Sequence, residues 1–510
     1  MSKSDRKAGL QENHQIIRSG FPDPVLTVAL LPLTLSLTWI SPAVAQLIPD
    51  NTLGAESSVV TPLDTLNDRI DGGVLRGSNL FHSFQDFNID TGRGAYFSNP
   101  AGIENILTRV TGGNPSNIFG TLGVLGDANL FLVNPNGIVF GPNARLDVGG
   151  SFFASTAEGV NFLDGYQFSA TNPDVPPLLT INVPIGLQLG TNPGEIVNQS
   201  VATQVIDGEE SIIGLQVPPG RTLGLIGGEI TLEGGRLTAE SGRVELGSVG
   251  GNNTVSLTPV DVGFALGYAG VENYQDIVLS QQALVDTRGE RGGDVQVRAN
   301  RLLMQDGGAI LAETRGTGRG GTLNIDATES VRLSGTYPDG SLVTGLSVQT
   351  KGSGDGGELT INTRQLSIRD GANILADTRG EGQAGMLTIN ATESVEISGT
   401  AISPENENII SVLSASTSGL GDAGTIDIFT GRLLIEDGAA IFLNSLNQEV
   451  GGNAGTLNVN ATESVDIRGI TPEGTFGTEV SAATLGSGNG GEINITTGRL
   501  LVEGGGNILL

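Results

Sequence analysis

The 510-residue chain has no cysteine, which excludes disulfide staples, thiolate chemistry and cysteine-ligated metals. Histidine is nearly absent too. Only His14 and His82 occur, too few for the usual zinc sites or for more than one imidazole base. Aromatic residues make up 4%, with a single tryptophan, and most of them precede residue 170. Positive charge is scarce: 26 Lys and Arg face 55 Asp and Glu, for a net charge of −29. Such a surface repels phosphate backbones and anionic headgroups, so no nucleic-acid partner is expected. After the first 45 residues no apolar run is long enough to span a bilayer, so no inner-membrane anchor is expected. Nor is there a helical apolar stripe, a phosphate-binding GxxxxGK[ST] loop or a GxSxG nucleophile turn.

What the chain has in quantity is glycine, 78 residues, beside an ordinary 21 prolines. No Gly-X-Y period appears, so it is not collagen. Hydrophobic residues reach 38% and alternate with polar ones, which argues against disorder.

The first 45 residues read as a signal peptide. Lys3, Arg6, Lys7 and Arg18 precede an uncharged run, 25–40, too short for a bilayer span. Ala43-Val44-Ala45 then supplies a small-x-small site, with cleavage expected between Ala45 and Gln46.

Residues 290–510 repeat, with 301–510 expected as the domain of β-helix repeats. The segments GGDVQVRANRLLMQDGGAIL, GGELTINTRQLSIRDGANIL, AGTIDIFTGRLLIEDGAAIF and GGEINITTGRLLVEGGGNIL place Asp306, Asp370, Asp437 and Gly504 at intervals of 64, 67 and 67. A second block, ATESV, begins at Ala327, Ala391 and Ala461. Alternation within each unit predicts strands of four to six residues with glycine or Asp-Gly corners. The fold class expected is all-β, a parallel β-solenoid. Coils of roughly 20 residues would put about three in each period. The last repeat stops at Leu510 with no evident capping unit, so the repeats read as incomplete at the C-terminus.

The stretch from Gln46 to about residue 300 differs. RGSNLFHSFQDFNID, then FSNPAGIENILTRVTGGNPSNIFGTL, then ANLFLVNPNGIVFGPNARLDVGGSFFAST run in order. This stretch resembles the secretion domain of filamentous haemagglutinin-like exoproteins, loosely over 46–300 and tightly over 76–156. An earlier N-P-N-L motif of some members is replaced by Asn99-Pro100-Ala101-Gly102 and Asn114-Pro115-Ser116-Asn117. The resemblance implies a right-handed single-stranded parallel β-helix opened by an N-terminal cap. It implies export by two-partner secretion through an outer-membrane β-barrel transporter with periplasmic docking domains. It also implies a location outside a Gram-negative-type bacterium, secreted or at the cell surface. The expected function is an exported adhesin-like rod meeting a host or neighbouring-cell receptor, with no enzyme activity and no cofactor.

Asn134-Pro135-Asn136-Gly137, followed by Ile138, is the most specific part of that resemblance and the candidate secretion motif. Its residues suit a type I turn: Pro135 presets φ, Asn134 can bond the backbone two residues on, and Gly137 accepts positive φ. LFLV and IVF on either side are apolar throughout, so both faces of these strands are expected to be covered. The turn can serve the fold, the transporter, or both.

A rival from another class is a secreted carbohydrate-active β-helix enzyme using paired acids. Its candidates, Asp306, Asp370 and Asp437, recur once per repeat before glycine, which favours turns over a single active site. GSGDGGE at 352–358 resembles a calcium nonapeptide, but Arg319 and Asn489 fill the equivalent slots.

Overall fold

The short runs bounded by Gly and Asn fold as strands, and most pair in parallel with their equivalents one coil further along. The computed structural model describes residues 46–510 apart from 174–181, 207, 261–262, 405–407, 449–450, 473 and 475. Ala43 and Ala45 therefore lie outside the described residues. Gln46 is described, and its carbonyl accepts from Asn88 N at 3.1 Å.

The fold is a parallel β-helix with three faces. The first face stacks Asn79–Phe87, Asn105–Val110, Asn129–Val133, Phe152–Ser155, Thr222–Gly227 and Arg243–Ser248. The second stacks Ser116–Ile118, Ile138–Phe140, Ile196–Asn198, Ile230–Glu233 and Ile277–Ser280. The third begins with Asn67–Gly72, Gly94–Ser98, Thr121–Leu125 and Arg145–Asp147, and later stacks three-residue strands such as Leu284–Asp286 and Ala309–Leu311. Inward residues of all three faces make one continuous apolar core from Leu47 to Ala482.

A cap closes the start. Leu47–Pro49 and Val74–Arg76 pair antiparallel with Asn79–Phe87, and Ser58–Pro62 pairs antiparallel with Asn67–Gly72. These strands occupy edges that would otherwise present unpaired backbone groups. A separate antiparallel sheet of Gly159–Phe162, Gln167–Ser169, Pro184–Gln188, Thr254–Pro259 and Phe264–Gly267 lies over the first face. It buries Phe81, Leu107, Phe131 and Phe153 in a second core. This explains the apolar LFLV run: Leu130 and Leu132 point into the helix, Phe131 and Val133 into the outer layer.

From Asp294 onward the first two faces fuse into single long strands. Asp294–Gln305 pairs with both Arg243–Ser248 and Ile277–Ser280. The strands that follow alternate between 13 and 12 residues. The 13-residue strands carry ATESV, which contributes one extra residue: Asp326 to Ser330 stands opposite Asn362 to Gln365. That is a β-bulge.

Coil length corrects the sequence reading. Val295, Leu323, Leu359, Leu387, Ile426, Leu457 and Ile493 stack in register. Each repeat period therefore holds two coils rather than three. The cause is the fused strand, which reads in sequence as two strands of separate coils, and excursions that lengthen every second coil.

The two coil types turn their corners differently. After each 12-residue strand the chain turns at Asp306, Asp370 or Asp437, all left-handed at φ 52, 55 and 57. Aspartate tolerates this conformation, and the following glycine adopts it freely. After each 13-residue strand the chain instead makes an excursion, closed by the Thr336–Val343 bridge, by the Thr400–Ile402 and Asn408–Ile410 hairpin, or by the Ile470–Gly477 bridge. At the end of each excursion a buried hydroxyl reaches back to the previous corner. Thr344, Ser411 and Thr478 accept from the N–H of Gly307, Gly371 and Gly438, each at 3.0 Å.

Candidate functional site

The Asn134–Gly137 turn joins the first face to the second, on coils covered from both sides. Asn134 is fully buried. Its Oδ1 accepts from Asn136 N at 3.0 Å, the expected bond two residues on, and Gly137 N donates to Asn134 O at 3.2 Å to close the turn. Its Nδ2 donates to Asn114 O at 3.0 Å and Ser116 Oγ at 2.9 Å, tying the turn to the coil before it. Pro135 O accepts from Gly194 N, and Ile138 N donates to Glu195 O, tying it to the coil after it. Gly137 sits at φ 121, and a Cβ on Gly194 would stand 2.5 Å from Asn136 C. The turn therefore fits only where a glycine faces it.

Within this turn the residues differ in what they show to solvent. Asn134, Gly137 and Ile138 are buried and Pro135 is half-buried, while Asn136 is exposed. Asn136 Nδ2 donates to Gly112 O at 2.7 Å. Asn114-Pro115 lies directly against the turn, with Pro115 Cβ 3.5 Å from a Cβ placed on Gly137. The two Asn-Pro pairs are thus stacked neighbours, although 20 residues separate Asn134 from Asn114.

A second cluster went unnoticed in the sequence. Arg109 is 1% exposed and makes no direct ion pair among the described residues. Its Nε donates to Ser83 Oγ at 2.9 Å, Nη1 to Ser169 O at 2.5 Å and Nη2 to Thr52 Oγ1 at 2.7 Å. The guanidinium also lies 4.4 Å from the Phe168 ring centre. Asp50 completes the cluster, accepting from Thr52, Ser83 and Thr111. Burial raises the Asp50 carboxyl, and these hydrogen bonds bring it below its ordinary value. Burial lowers Arg109 to about 10, with Asp50 opposing. One side chain thus joins the cap, two coils and the outer sheet. A lone arginine in an apolar strand gives no periodic signal that could have marked it.

His82 is fully buried on the first coil. Its Nδ1 lies 3.0 Å from Ser58 Oγ, and its Nε2 has no partner among the described residues. Burial pushes its pKa down to about 3, opposed by the Asp71 charge. Ser58 Oγ also accepts from Ser83 N at 3.2 Å. This serine–histidine pair is closed to solvent, and its ring stands 5.1 Å from that of Phe97, so it packs the cap. The three corner aspartates stay one per repeat, on separate left-handed turns. Among the described residues no group of three metal-ligating side chains gathers.

A family model for the TPS secretion domain matches residues 45–297. Among solved structures, the HMW1 secretion domain from Haemophilus influenzae aligns at 18% identity, covering 86% of this chain and 98% of its own, with a TM-score of 0.46. The filamentous hemagglutinin secretion domain aligns at 16% identity, covering 68% and 95%, with a TM-score of 0.27. No curated protein matches in sequence.

Proposed function

Residues 45–297 belong to the TPS secretion domain family, and from that premise we propose how the chain is addressed, exported and used. It is a two-partner secretion exoprotein, secreted, whose partner is an outer-membrane transporter of the same system. The family is one of secretion domains, not of enzymes.

The finer reading is our own. The leader 1–45 directs the chain across the inner membrane and is cut between Ala45 and Gln46. Periplasmic docking domains of the transporter then read the chain through the segment that includes Asn134, Pro135, Asn136, Gly137 and Ile138. The boundary near residue 300 separates the address from the cargo, 301–510. Outside the cell each emerging coil pairs with the last and buries its apolar residues, so retreat into the pore costs free energy. The folded stack then serves contact with a host or neighbouring cell.

The family match carries this reading. Export of the full chain into the medium should require coexpression of the cognate barrel. Asn136→Ala removes an exposed carboxamide and its two hydrogen bonds, to Gly112 O and Asn134 Oδ1, so it should cost only about 1 kcal/mol of stability. If the turn is also an address, export should fall several-fold all the same. Unchanged export with a lower melting temperature leaves Asn136 a purely structural role.

A further inference from the structure

The third face holds a groove of about 370 Å³ where the domain gives way to the repeats. Its floor is aliphatic, from the outward side chains of Leu284, Ala309, Leu311 and Leu375, and Leu342 of the first excursion forms one wall. Gly307 and Gly345 leave room on the groove side. A Cβ on Gly345 would lie 2.1 Å from Asn373 Oδ1, so the Asn373 amide spreads across it.

Two features of this groove are not accounted for by folding. The first is the corner at Gln281 and Gln282. Leu284 is in register with Ala309, so these residues stand where the next coil has Asp306 and Gly307. They adopt the same left-handed turn, at φ 56 and 65, closed by the same bond, Ala283 N to Ser280 O. Glutamine takes that conformation at a steric cost that glycine avoids. Strain retained at the lip of a pocket points to use. The Gln282 carboxamide lines the groove and, like that of Asn373, has no hydrogen-bond partner among the described residues.

The second feature is Arg236. In a chain with 55 acidic residues it forms no ion pair among the described residues, and Nη1 donates only to Ile212 O at 3.3 Å. The nearby Asp286 is held by Arg288 at 2.8 and 2.5 Å. Glu313 is occupied by Ser347 Oγ at 2.9 Å and Lys351 Nζ at 2.8 Å. With Arg288 paired to Asp286 and Glu313, also in the lining, paired to Lys351, Arg236 is the groove's cation without a direct ion pair among the described residues, over an aliphatic floor ringed by carboxamides.

We propose that this groove binds an acidic oligosaccharide lying along the stack, one carboxylate on Arg236 and the hydroxyls of successive units on Gln282 and, four coils from Arg236, on Asn373. The carboxamides both donate and accept, as hydroxyls require, and a guanidinium matches a carboxylate in geometry. An extended peptide is a poorer fit. Both edges of each three-residue strand here are already paired to neighbouring coils, leaving no backbone edge to extend. The site deepens the reading of the folded stack as a contact surface and rests on it.

Binding is measured on the purified full chain by calorimetry with trigalacturonate, its methyl ester and tetraglutamate, without any transporter. A failure here leaves the export reading standing, and a failure of export leaves this measurement intact. Saturable binding of trigalacturonate alone is expected. Arg236→Gln should weaken it at least tenfold. Gln282→Gly should weaken it similarly while leaving the melting temperature unchanged or higher, because the strained corner relaxes. No saturable binding, equal binding of the ester or of tetraglutamate, or full affinity in both variants would overturn the proposal.

Discussion

His82 shows what one buried group does to the pH response of the whole cap. Its ring is neutral in the fold down to about pH 3, whereas an unfolded histidine takes up a proton near 6.5. Between these values the unfolded state binds the extra proton, so stability falls as pH drops and is regained as pH rises through 6.5. By pH 5 the loss should reach about 2 kcal/mol. Urea midpoints taken from pH 7 to pH 5 check this, and in His82→Gln the slope should flatten. Asn134 makes a different prediction. Replacing it with alanine leaves Asn114 O and Ser116 Oγ without their buried donor and should cost about 2–3 kcal/mol. That exceeds the cost at the exposed Asn136, so equal losses in denaturant titrations would contradict the buried geometry.

Among the elements, the alternating coils have a testable dependence on each other. Ser411 caps Gly371 N from the following coil. Ser411→Ala should lower stability by about 1–3 kcal/mol without changing the urea m-value. Much of this level was legible in the sequence. The Asp-Gly corners were read as turns, and Asp306, Asp370 and Asp437 are turns. The turn residues Asn134–Gly137 formed the bonds their side chains suggest. The covered faces of LFLV were also readable, because both faces of those strands lacked polar residues. The coil length was not. A 12-residue strand that serves two faces has the same alternation as two short strands, and only register against its neighbours separates them. Arg109 escaped for another reason: its partners lie at sequence separations of 26, 57 and 60 residues, which no local pattern encodes.

For the molecule as a whole, stability is distributed along the stack, because each coil rests on its neighbours. Removing residues 358–424 joins Gly357 to Thr425, which occupies the register of Glu358. This deletes one coil of each type and keeps the alternation. The shortened chain should retain its far-UV circular dichroism and melt within a few degrees of the original. Removing 386–424 alone sets two corner-type coils in succession and takes Ser411 from Gly371. Melting should then drop markedly, and amide exchange should rise around Asp370. Similar melting of the two deletions would mean that the coil types are interchangeable.

The excursions 335–344, 399–411 and 469–478 leave the same corner of the stack, two coils apart each time. With coils about 4.8 Å apart, they are spaced roughly 10 Å along one side. Among the described residues none of them supplies an inward strand of the core, and a buried hydroxyl at the end of each bonds back to the previous corner. New sequence can therefore be placed in these three outposts while the scaffold beneath keeps its register, so insertions and substitutions among chains of this kind should collect there first.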